Sequence, residues 1–379
     1  MTALKVGSER WWQSKHGPEW QRLNDEMFEV TFWWRDPQGS EEYSTIKRVW
    51  VYITGVTDHH QNSQPQSMQR IAGTNVWQWT TQLNANWRGS YCFIPTERVD
   101  IFSAPSPDRL ELREGWRKLL PQAIADPLNP QSWKGGRGHA VSALEMPQAP
   151  LQPGWDCPQA PETPAKEIIW KSERLKNSRR VWIFITGDAT AEERPLAVLL
   201  DGEFWAQSMP VWPALTSLTH RRQLPPAVYV LIDAIDTTHR AHELPCNADF
   251  WLAVQQELLP LVKDIAPFSD RAERTVFAGQ SFGVLSALYA GLHWPERFGC
   301  VLSQSGSYWW PHRGGQQEGA LLEQLKAGQV SAEGLRIVLE AGIREPMIMQ
   351  ANQALYAQLH PIKESIFWRQ VDGGHDALC

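Results

Sequence analysis

The feature that most constrains the fold of this chain is a pentapeptide with glycine at both ends and serine at its centre, Gly-Gln-Ser-Phe-Gly at 279–283. A chain of this length carries a G-x-S-x-G pattern by chance about one time in ten, so the pattern alone is weak evidence. Its context is stronger, because it follows an apolar strand predicted over 275–278 and begins a helix predicted over 282–292. Such a serine lies on a sharp turn that raises its hydroxyl above the sheet edge. The sequence therefore predicts Ser281 as a nucleophile.

A histidine in the last predicted loop is the candidate base for this serine. A serine hydroxyl is a poor nucleophile until a base takes its proton. The last predicted strand, 365–371, leads at once into Asp372-Gly373-Gly374-His375, and the two glycines allow the loop to carry the imidazole over the nucleophile. None of the other histidines follows a final strand in this way. The alternative interpretation of His375 is a structural histidine.

The third member of a triad is a carboxylate that orients the imidazole and stabilises its cation. We expect it after the strand predicted over 336–339, and we prefer Glu345, because a carboxylate in a loop can reach the histidine loop. The order serine, acid, histidine along the chain then agrees with the α/β-hydrolase pattern. Glu340, Asp376 and a Ser–His dyad without an acid stay open, as does a simple ion pair of Glu345 with Arg344.

The tetrahedral intermediate of acyl transfer needs hydrogen-bond donors for its oxyanion. The first predicted donor is the backbone N–H of Phe282, directly after the nucleophile. The second is expected from Gly202 or Glu203, in the loop that follows the strand predicted over 196–200. Asp201 in the same loop is interpreted as a turn carboxylate.

Six prolines between positions 147 and 164 divide the chain. Their spacing is typical of a polyproline II linker, which is semi-rigid and solvated. We therefore predict a first domain over 1–146, a linker over 147–164 and a second domain over 165–379.

The two predicted domains differ in their apolar patterns. The first has several short strands and no convincing long helix, which indicates an immunoglobulin-like β-sandwich. In the second, strands alternate with helices, which predicts an α/β-hydrolase domain with a mostly parallel sheet covered on both faces. Its predicted helices include 249–265, with a kink at Pro260.

The composition of the chain excludes some classes of function and favours others. A formal net charge of −6 and a pI near 6.0 give no basic surface for nucleic acid. The chain lacks a signal-peptide pattern and any apolar segment long enough to cross a bilayer, so we expect a soluble, cytoplasmic protein. Five scattered cysteines do not form a disulfide framework or a metal motif. The 21 tryptophans favour an aromatic-lined binding surface.

The segments around these candidates resemble the esterase-D-type hydrolases: Leu199-Leu200-Asp201-Gly202, Arg240-Ala241-His242-Glu243-Leu244, Ala278–Gly283 and Gly373–His375. The first domain, with Asp126-Pro127-Leu128-Asn129-Pro130, is similar to that of the enterochelin (iron–enterobactin) esterases. The similarity covers essentially the whole chain.

This resemblance implies a substrate, which is ferric enterobactin, a cyclic trilactone of 2,3-dihydroxybenzoyl-serine. Hydrolysis of its esters would release iron in the cytoplasm. No cofactor is expected, because the iron enters with the substrate. Arg240 and Arg313 are candidate partners for the anionic ferric complex, and its catechol rings would stack on Trp205, Trp309 or Trp310.

Two positions depart from the family pattern. Val284 stands where many relatives carry a second glycine after the elbow. The sequence continues for only four residues after His375, where an α/β hydrolase normally has a closing helix, so we expect a chain that is truncated or not fully represented at this end.

Two other functions stay open from the residues alone. A general carboxylesterase or thioester hydrolase of esterase-D type would use the same nucleophile, although the added β domain and the tryptophan content argue against it. A siderophore- or glycan-binding protein with an inactive hydrolase fold would leave Ser281 idle.

Overall fold

The structure is a computed structural model, and it describes residues 4–61, 64–102, 108–134, 138–155, 165–312, 318–359 and 365–378. The chain divides into two compact units, each described here by itself. The first unit comprises Met1–Pro150, Gly342–Glu345 and Val371–Cys379, and the second comprises Leu151–Ala341 and Pro346–Gln370. The second half of the predicted linker, from 156 to 164, lies outside the described residues, and the predicted domain boundaries stay predictions.

Two antiparallel sheets form the body of the first unit. One has the order β1-β2-β6-β5 and the other the order β4-β3-β7-β9-β8. Their strands are β1 Glu19–Arg22, β2 Met27–Arg35, β3 Arg48–Ile53, β4 Gln66–Ser67, β5 Gln69–Arg70, β6 Val76–Asn84, β7 Arg88–Thr96, β8 Ser132–Lys134 and β9 Ala140–Glu145.

The alternation of side chains along β2 shows why these sheets pack together. Phe28, Val30, Phe32 and Trp34 are buried, while the residues between them are more exposed. These side chains share one apolar cluster with residues of β3 and β7 in the other sheet. Burial of each such side chain contributes about 1.5–3 kcal/mol. The predicted N-terminal β-sandwich is confirmed.

The expectation that this segment has no long helix is wrong. Besides the short α1, Glu9–Gln13, the first unit contains α2, Arg109–Leu119. Asp108 and Glu111 form a capping box at its start, which satisfies backbone N–H groups that a helix end leaves unpaired. The helix was missed because most of its residues are polar, so its apolar period is weak; the Asp-x-x-Glu spacing was the available signal.

An eight-stranded sheet forms the centre of the second unit, with the order β10-β11-β13-β12-β14-β15-β16-β17. The pairs formed by β10, β11 and β13 are antiparallel, whereas the pairings from β13 through β12, β14 and β15 to β16 are parallel. The strands are β10 Lys166–Ser172, β11 Asn177–Ile185, β12 Leu196–Leu200, β13 Val228–Ile232, β14 Thr275–Gln280, β15 Cys300–Gln304, β16 Arg336–Gly342 and β17 Ile366–Val371. The predicted α/β class with a mostly parallel sheet is confirmed.

Helices follow most of the parallel strands: α3 Trp212–His220, α4 Thr237–Glu243, α5 Ala248–Ala253, α6 Leu259–Ile265, α7 Phe282–His293, α8 Ala320–Lys326 and α9 Pro346–Leu359. The helix predicted over 249–265 is α5 and α6 joined by a π-helical turn, Val254–Leu258. Pro260 lies just after that turn. Because proline lacks an N–H and its ring crowds the carbonyl four residues earlier, the wider turn relieves the clash.

The parallel strands bring their carboxyl ends to one edge of the sheet. Asp201 follows β12, Asp233 follows β13, Ser281 follows β14 and Ser305 follows β15. Ligand sites of open α/β sheets lie at this edge. Within the described part of the chain, none of the helices has the length and apolar character that a membrane span requires.

Candidate active site

Ser281 stands at the junction of β14 and α7 with a left-handed backbone, at φ +57° and ψ −116°. A non-glycine residue rarely adopts such a conformation, which costs roughly 1–3 kcal/mol and persists only where its surroundings enforce it. The Ser281 N–H donates to the carbonyl of Gln304 at 3.2 Å, and its own carbonyl accepts from Leu285 and Ser307, each at 3.2 Å. The neighbouring strand and the helix thus hold the strained turn from both sides.

The two glycines of the pentapeptide differ in how tightly they are enclosed. A Cβ atom on Gly279 would lie 2.7 Å from the carbonyl carbon of Gly283 and 2.9 Å from the nitrogen of Val284. A Cβ atom on Gly283 would have its nearest neighbour, Asp201 Oδ2, at 3.3 Å. Gly279 is therefore the position at which strand and helix leave no space for a side chain. Val284 is fully buried between helix and sheet.

A second hydroxyl lies next to the nucleophile candidate. Ser307 Oγ is 2.9 Å from Ser281 Oγ, and Ser307 is almost completely buried. Either oxygen can donate in this hydrogen bond. Ser307 was not among the residues predicted from the sequence, although it belongs to the Ser305-Gly306-Ser307 segment that follows β15, the strand beside β14. The position of this segment at the carboxyl edge was the signal that was available.

Hydrogen bonds from α9 and to β16 fix the turn that carries Ser307. The buried amide of Asn352, on α9, donates to the carbonyl of Gly306 at 2.8 Å and to the carbonyl of Ile348 at 2.8 Å. The Ser305 N–H donates to the carbonyl of Glu340 on β16 at 2.8 Å. The hydroxyl beside Ser281 therefore belongs to a rigid turn.

The loop after β12 has the features expected of an oxyanion-binding loop. Asp201 has φ +57°, and the Phe204 N–H donates to its carbonyl at 3.1 Å, which closes a helical turn. Gly202 is packed against β13, where a Cβ atom would lie 2.5 Å from the nitrogen of Ile232. The N–H groups of Gly202 and Glu203 lie at the N-terminal end of this turn. Phe282 is the first residue of α7, and N–H groups there have no partner within the helix.

Arg240 connects this loop with the nucleophile turn. Its Nε and Nη2 donate to the two carboxylate oxygens of Asp201 at 2.5 and 2.8 Å, and Nη2 also reaches the carbonyl of Gln280 at 3.4 Å. Burial is the largest single influence and opposes the charge of Arg240, but the hydrogen bonds to Asp201 and the negative charges of Asp201 and Glu203 together outweigh it, so the pKa of Arg240 is raised. The guanidinium carbon lies 5.7 Å from the centre of the Phe282 ring. The charge of Arg240 is thus shared with Asp201.

Glu203 is a partly buried acid beside this pair. Burial is the main cause that raises its pKa, and the negative charges of Asp201 and Asp233 add to the effect. Its carboxylate accepts the N–H of Ala234 at 3.2 Å, so it ties the loop after β12 to the loop after β13.

The predicted acid and base are in contact in the first unit. His375 Nδ1 lies 2.6 Å from Glu345 Oε2, and Glu345 is fully buried. The other oxygen, Oε1, accepts the N–H of Gly342 at 2.9 Å. The alternative acids have other partners: Glu340 pairs with Arg369, and Asp376 accepts the N–H of Ser90 at 2.6 Å. Ser281 belongs to the second unit and the Glu345–His375 pair to the first.

The tryptophans that were predicted to stack on the substrate's aromatic rings lie in the second unit. The Trp309 ring centre is 5.9 Å from that of Phe282, directly after Ser281. Trp205 makes an edge-to-face contact with Phe204 at 4.8 Å in the loop after β12. Trp310 packs against the main apolar core of this unit. Arg313, the second predicted cation, lies outside the described residues.

Potential metal ligands are not clustered in the described residues: no group of three or more His, Cys, Asp or Glu side chains there could hold a metal ion. Cys92, Cys246 and Cys300 carry free thiols, and Cys157 and Cys379 lie outside the described residues.

Two family models match this chain. Residues 29–155 match the family described as "Enterochelin esterase, N-terminal", and residues 172–375 match the family described as "Putative esterase".

The chain is also similar over its whole length to proteins with assigned functions. It is 96% identical to the iron(III) enterobactin esterase of Escherichia coli strain K12, covering 100% of this chain and 95% of that protein. It is 45% identical to the iron(III) enterobactin esterase of Dickeya dadantii, covering 100% of this chain and 92% of that protein.

Solved structures of two proteins are similar to this chain over almost its whole length. The enterobactin esterase of Shigella flexneri, crystallised in the presence of enterobactin, has 94% identity and a TM-score of 0.93, covering 99% of this chain and 96% of that one. The ferric enterobactin esterase of Salmonella typhimurium has 72% identity and a TM-score of 0.95, covering 98% of this chain and 95% of that one.

Proposed function

We infer, from the premise that this chain belongs to the enterochelin esterase family, that it is a serine hydrolase that cleaves the trilactone ester bonds of ferric enterobactin. The observation that carries this conclusion is the identity of 96% to an iron(III) enterobactin esterase over the whole of this chain. The strained serine at the start of α7 supplies the chemistry that an ester hydrolase needs.

The roles that we propose follow from the local geometry. His375 holds Glu345 at Nδ1, which leaves Nε2 to take the proton of the Ser281 hydroxyl. Ser281 Oγ then forms a bond to the ester carbonyl carbon, and the resulting oxyanion accepts hydrogen bonds from the N–H groups of Phe282 and of Gly202 or Glu203.

Collapse of this intermediate breaks the bond between the carbonyl carbon and the ring oxygen of the lactone. The leaving oxygen takes the proton from the His375 imidazolium and departs as a serine hydroxyl of the opened ring. Water then attacks the acyl-enzyme with His375 as base, which frees Ser281 and a carboxylic acid. Glu345 orients the imidazole and stabilises its cation throughout, without itself taking the proton.

The substrate chemistry accounts for the remaining residues. The ferric triscatecholate is an anion with three aromatic rings, which suits cations interleaved with aromatic side chains. Arg240, Phe282 and Trp309 form such a series, and we assign Arg313, Trp205 and Trp310 to the same binding surface. No cofactor is part of the proposal, because the iron arrives and leaves with the substrate. The cysteines among the described residues carry free thiols, which is typical of a reducing compartment. We therefore propose that the protein acts in the cytoplasm.

A product assay on ferric enterobactin tests this function. We expect Ser281→Ala to reduce turnover by about three orders of magnitude or more, because loss of a triad member leaves only residual catalysis. Ser178→Ala, which removes an exposed hydroxyl on β11, serves as the matched control and keeps wild-type turnover. Wild-type protein should also prefer ferric enterobactin over p-nitrophenyl acetate, and equal or reversed preference would assign a general carboxylesterase instead.

A further inference from the structure

We propose that the β-sandwich in the first unit positions the Glu345–His375 pair, and that Gln61, Asn84 and the backbone of Ser90 are positioning residues for catalysis. The inference rests on the proposed function in one respect, because it takes His375 as the base. It assigns a catalytic purpose to the sandwich, which does not contain the proposed nucleophile Ser281.

The first observation is that the acid–base pair shares a compact unit with residues far away in sequence. The segments Gly342–Glu345 and Val371–Cys379 group with Met1–Pro150. The strands β16 and β17 lead into these segments, and the segments themselves cluster with the sandwich. The loops that carry the proposed acid and base therefore group with the sandwich.

One contact between the sandwich and the histidine loop joins two backbones. Gly55 lies in the turn after β3 with φ +79°, and a Cβ atom on it would be 2.9 Å from the Cα of Gly374. A Cβ atom on Gly374 would be 2.5 Å from the nitrogen of Gly55. Asp58 fixes this turn by accepting the Gly55 N–H at 3.0 Å. The residue directly before His375 is thus packed on a braced turn of the sandwich, with no space for a side chain between them.

Hydrogen bonds fix the histidine loop on both sides of His375. Before it, the Asn84 amide at the end of β6 donates to Asp372 Oδ2 at 2.5 Å. After it, the Ser90 N–H on β7 donates to Asp376 Oδ2 at 2.6 Å. Asn84 is the last residue of β6 and Ser90 lies within β7, so both donors belong to strands of the sandwich and place the loop against a rigid support.

The acid is held in the same way. Gln61 Nε2 donates to the carbonyl of Arg344 at 2.7 Å, directly before Glu345. The Arg344 side chain pairs with Asp372 at 2.5 Å, which links the acid loop to the histidine loop. The His60 ring centre lies 5.5 Å from that of His375, so the segment after β3 that carries His60 also borders the imidazole of His375.

Such support matters because catalysis depends on the position of the base. A displacement of about 1 Å in a reacting group can cost about a hundredfold in rate. None of the three positioning residues bears chemistry toward an ester, and each fixes a residue adjacent to, or within three positions of, Glu345 or His375. We therefore expect their loss to lower kcat and to leave KM unchanged.

Two single variants test the proposal, Gln61→Ala and Asn84→Ala. Each should lower kcat on ferric enterobactin by about tenfold to a hundredfold, with KM within about twofold of wild type. The matched control is Gln148→Ala, because Gln148 Nε2 also donates to a backbone carbonyl within the first unit, that of Asp25 at 3.2 Å, away from the pair. The control should keep wild-type kcat. Melting temperatures of all variants identify any that fail to fold. If either Gln61→Ala or Asn84→Ala does not fold, the kinetics of the remaining one of the two decide the test.

A His375→Ala background separates positioning from general damage. If Gln61 and Asn84 act through the base, their substitution there causes no further loss of the residual activity. A full further loss in that background, or a kcat within twofold of wild type in both single variants, would overturn the proposal. Failure of the proposed function is distinguishable, since it would appear as wild-type turnover in His375→Ala itself.

Discussion

At the scale of single residues, the hydroxyl of Ser307 forms a hydrogen bond with that of Ser281, the proposed nucleophile. The two oxygens are 2.9 Å apart, and the turn that carries Ser307 is held by Asn352. A hydroxyl both donates and accepts, so Ser307 can fix the rotamer of Ser281 while the proton leaves in another direction. Motif reasoning finds Ser281 but passes over Ser307, because Ser307 belongs to no recurrent pattern.

Replacement of this hydroxyl gives a prediction at the same scale. Ser307→Ala removes one hydrogen bond worth about 1 kcal/mol, which corresponds to a five- to tenfold lower kcat. KM should stay within about twofold, because Ser307 is buried beside the nucleophile and not on the binding surface. Steady-state kinetics on ferric enterobactin measure the split. An unchanged kcat would show that the contact is incidental.

At the scale of elements, the junction between β14 and α7 determines where the nucleophile stands. The sequence predicted this junction closely, since both the apolar strand and the glycine spacing are local signals. It also predicted β-sandwich strands from their alternation, as in β2. It failed on α2, whose helical signal lies in a capping box and not in apolar periodicity. Local patterns thus identify elements that bury a regular face, and they are weak where a helix is mostly polar.

The two glycines of the junction offer a matched pair of variants. Gly279→Ala places a methyl group 2.7 Å from backbone atoms of α7, so strand and helix must separate; we expect a loss of about 3 kcal/mol in unfolding free energy and loss of turnover. Gly283→Ala meets a side-chain oxygen at 3.3 Å and should cost about 1 kcal/mol or less. Chemical denaturation with activity assays compares them. Equal destabilisation by both substitutions would contradict the close approach at Gly279.

At the scale of the whole molecule, the chain combines an esterase fold with a β-sandwich, and Glu345 and His375 group with the sandwich. The sequence indicated the two folds and the order Ser281, Glu345, His375. It could not indicate that Glu345 and His375 group with the sandwich, because the contacts of Gln61 and Asn84 with their loops span more than 280 positions of the chain. Nor could it show that Arg240 is paired with Asp201, since that ion pair depends on where two loops meet at the sheet edge.

The central claim is that Ser281 is the nucleophile and that His375 activates it. Labelling with a fluorophosphonate, followed by peptide mass spectrometry, measures both parts at once. We predict near-stoichiometric modification of wild-type protein at Ser281, and labelling of His375→Ala slower by about a thousandfold. Modification at another residue, or an undiminished rate in His375→Ala, would contradict the account.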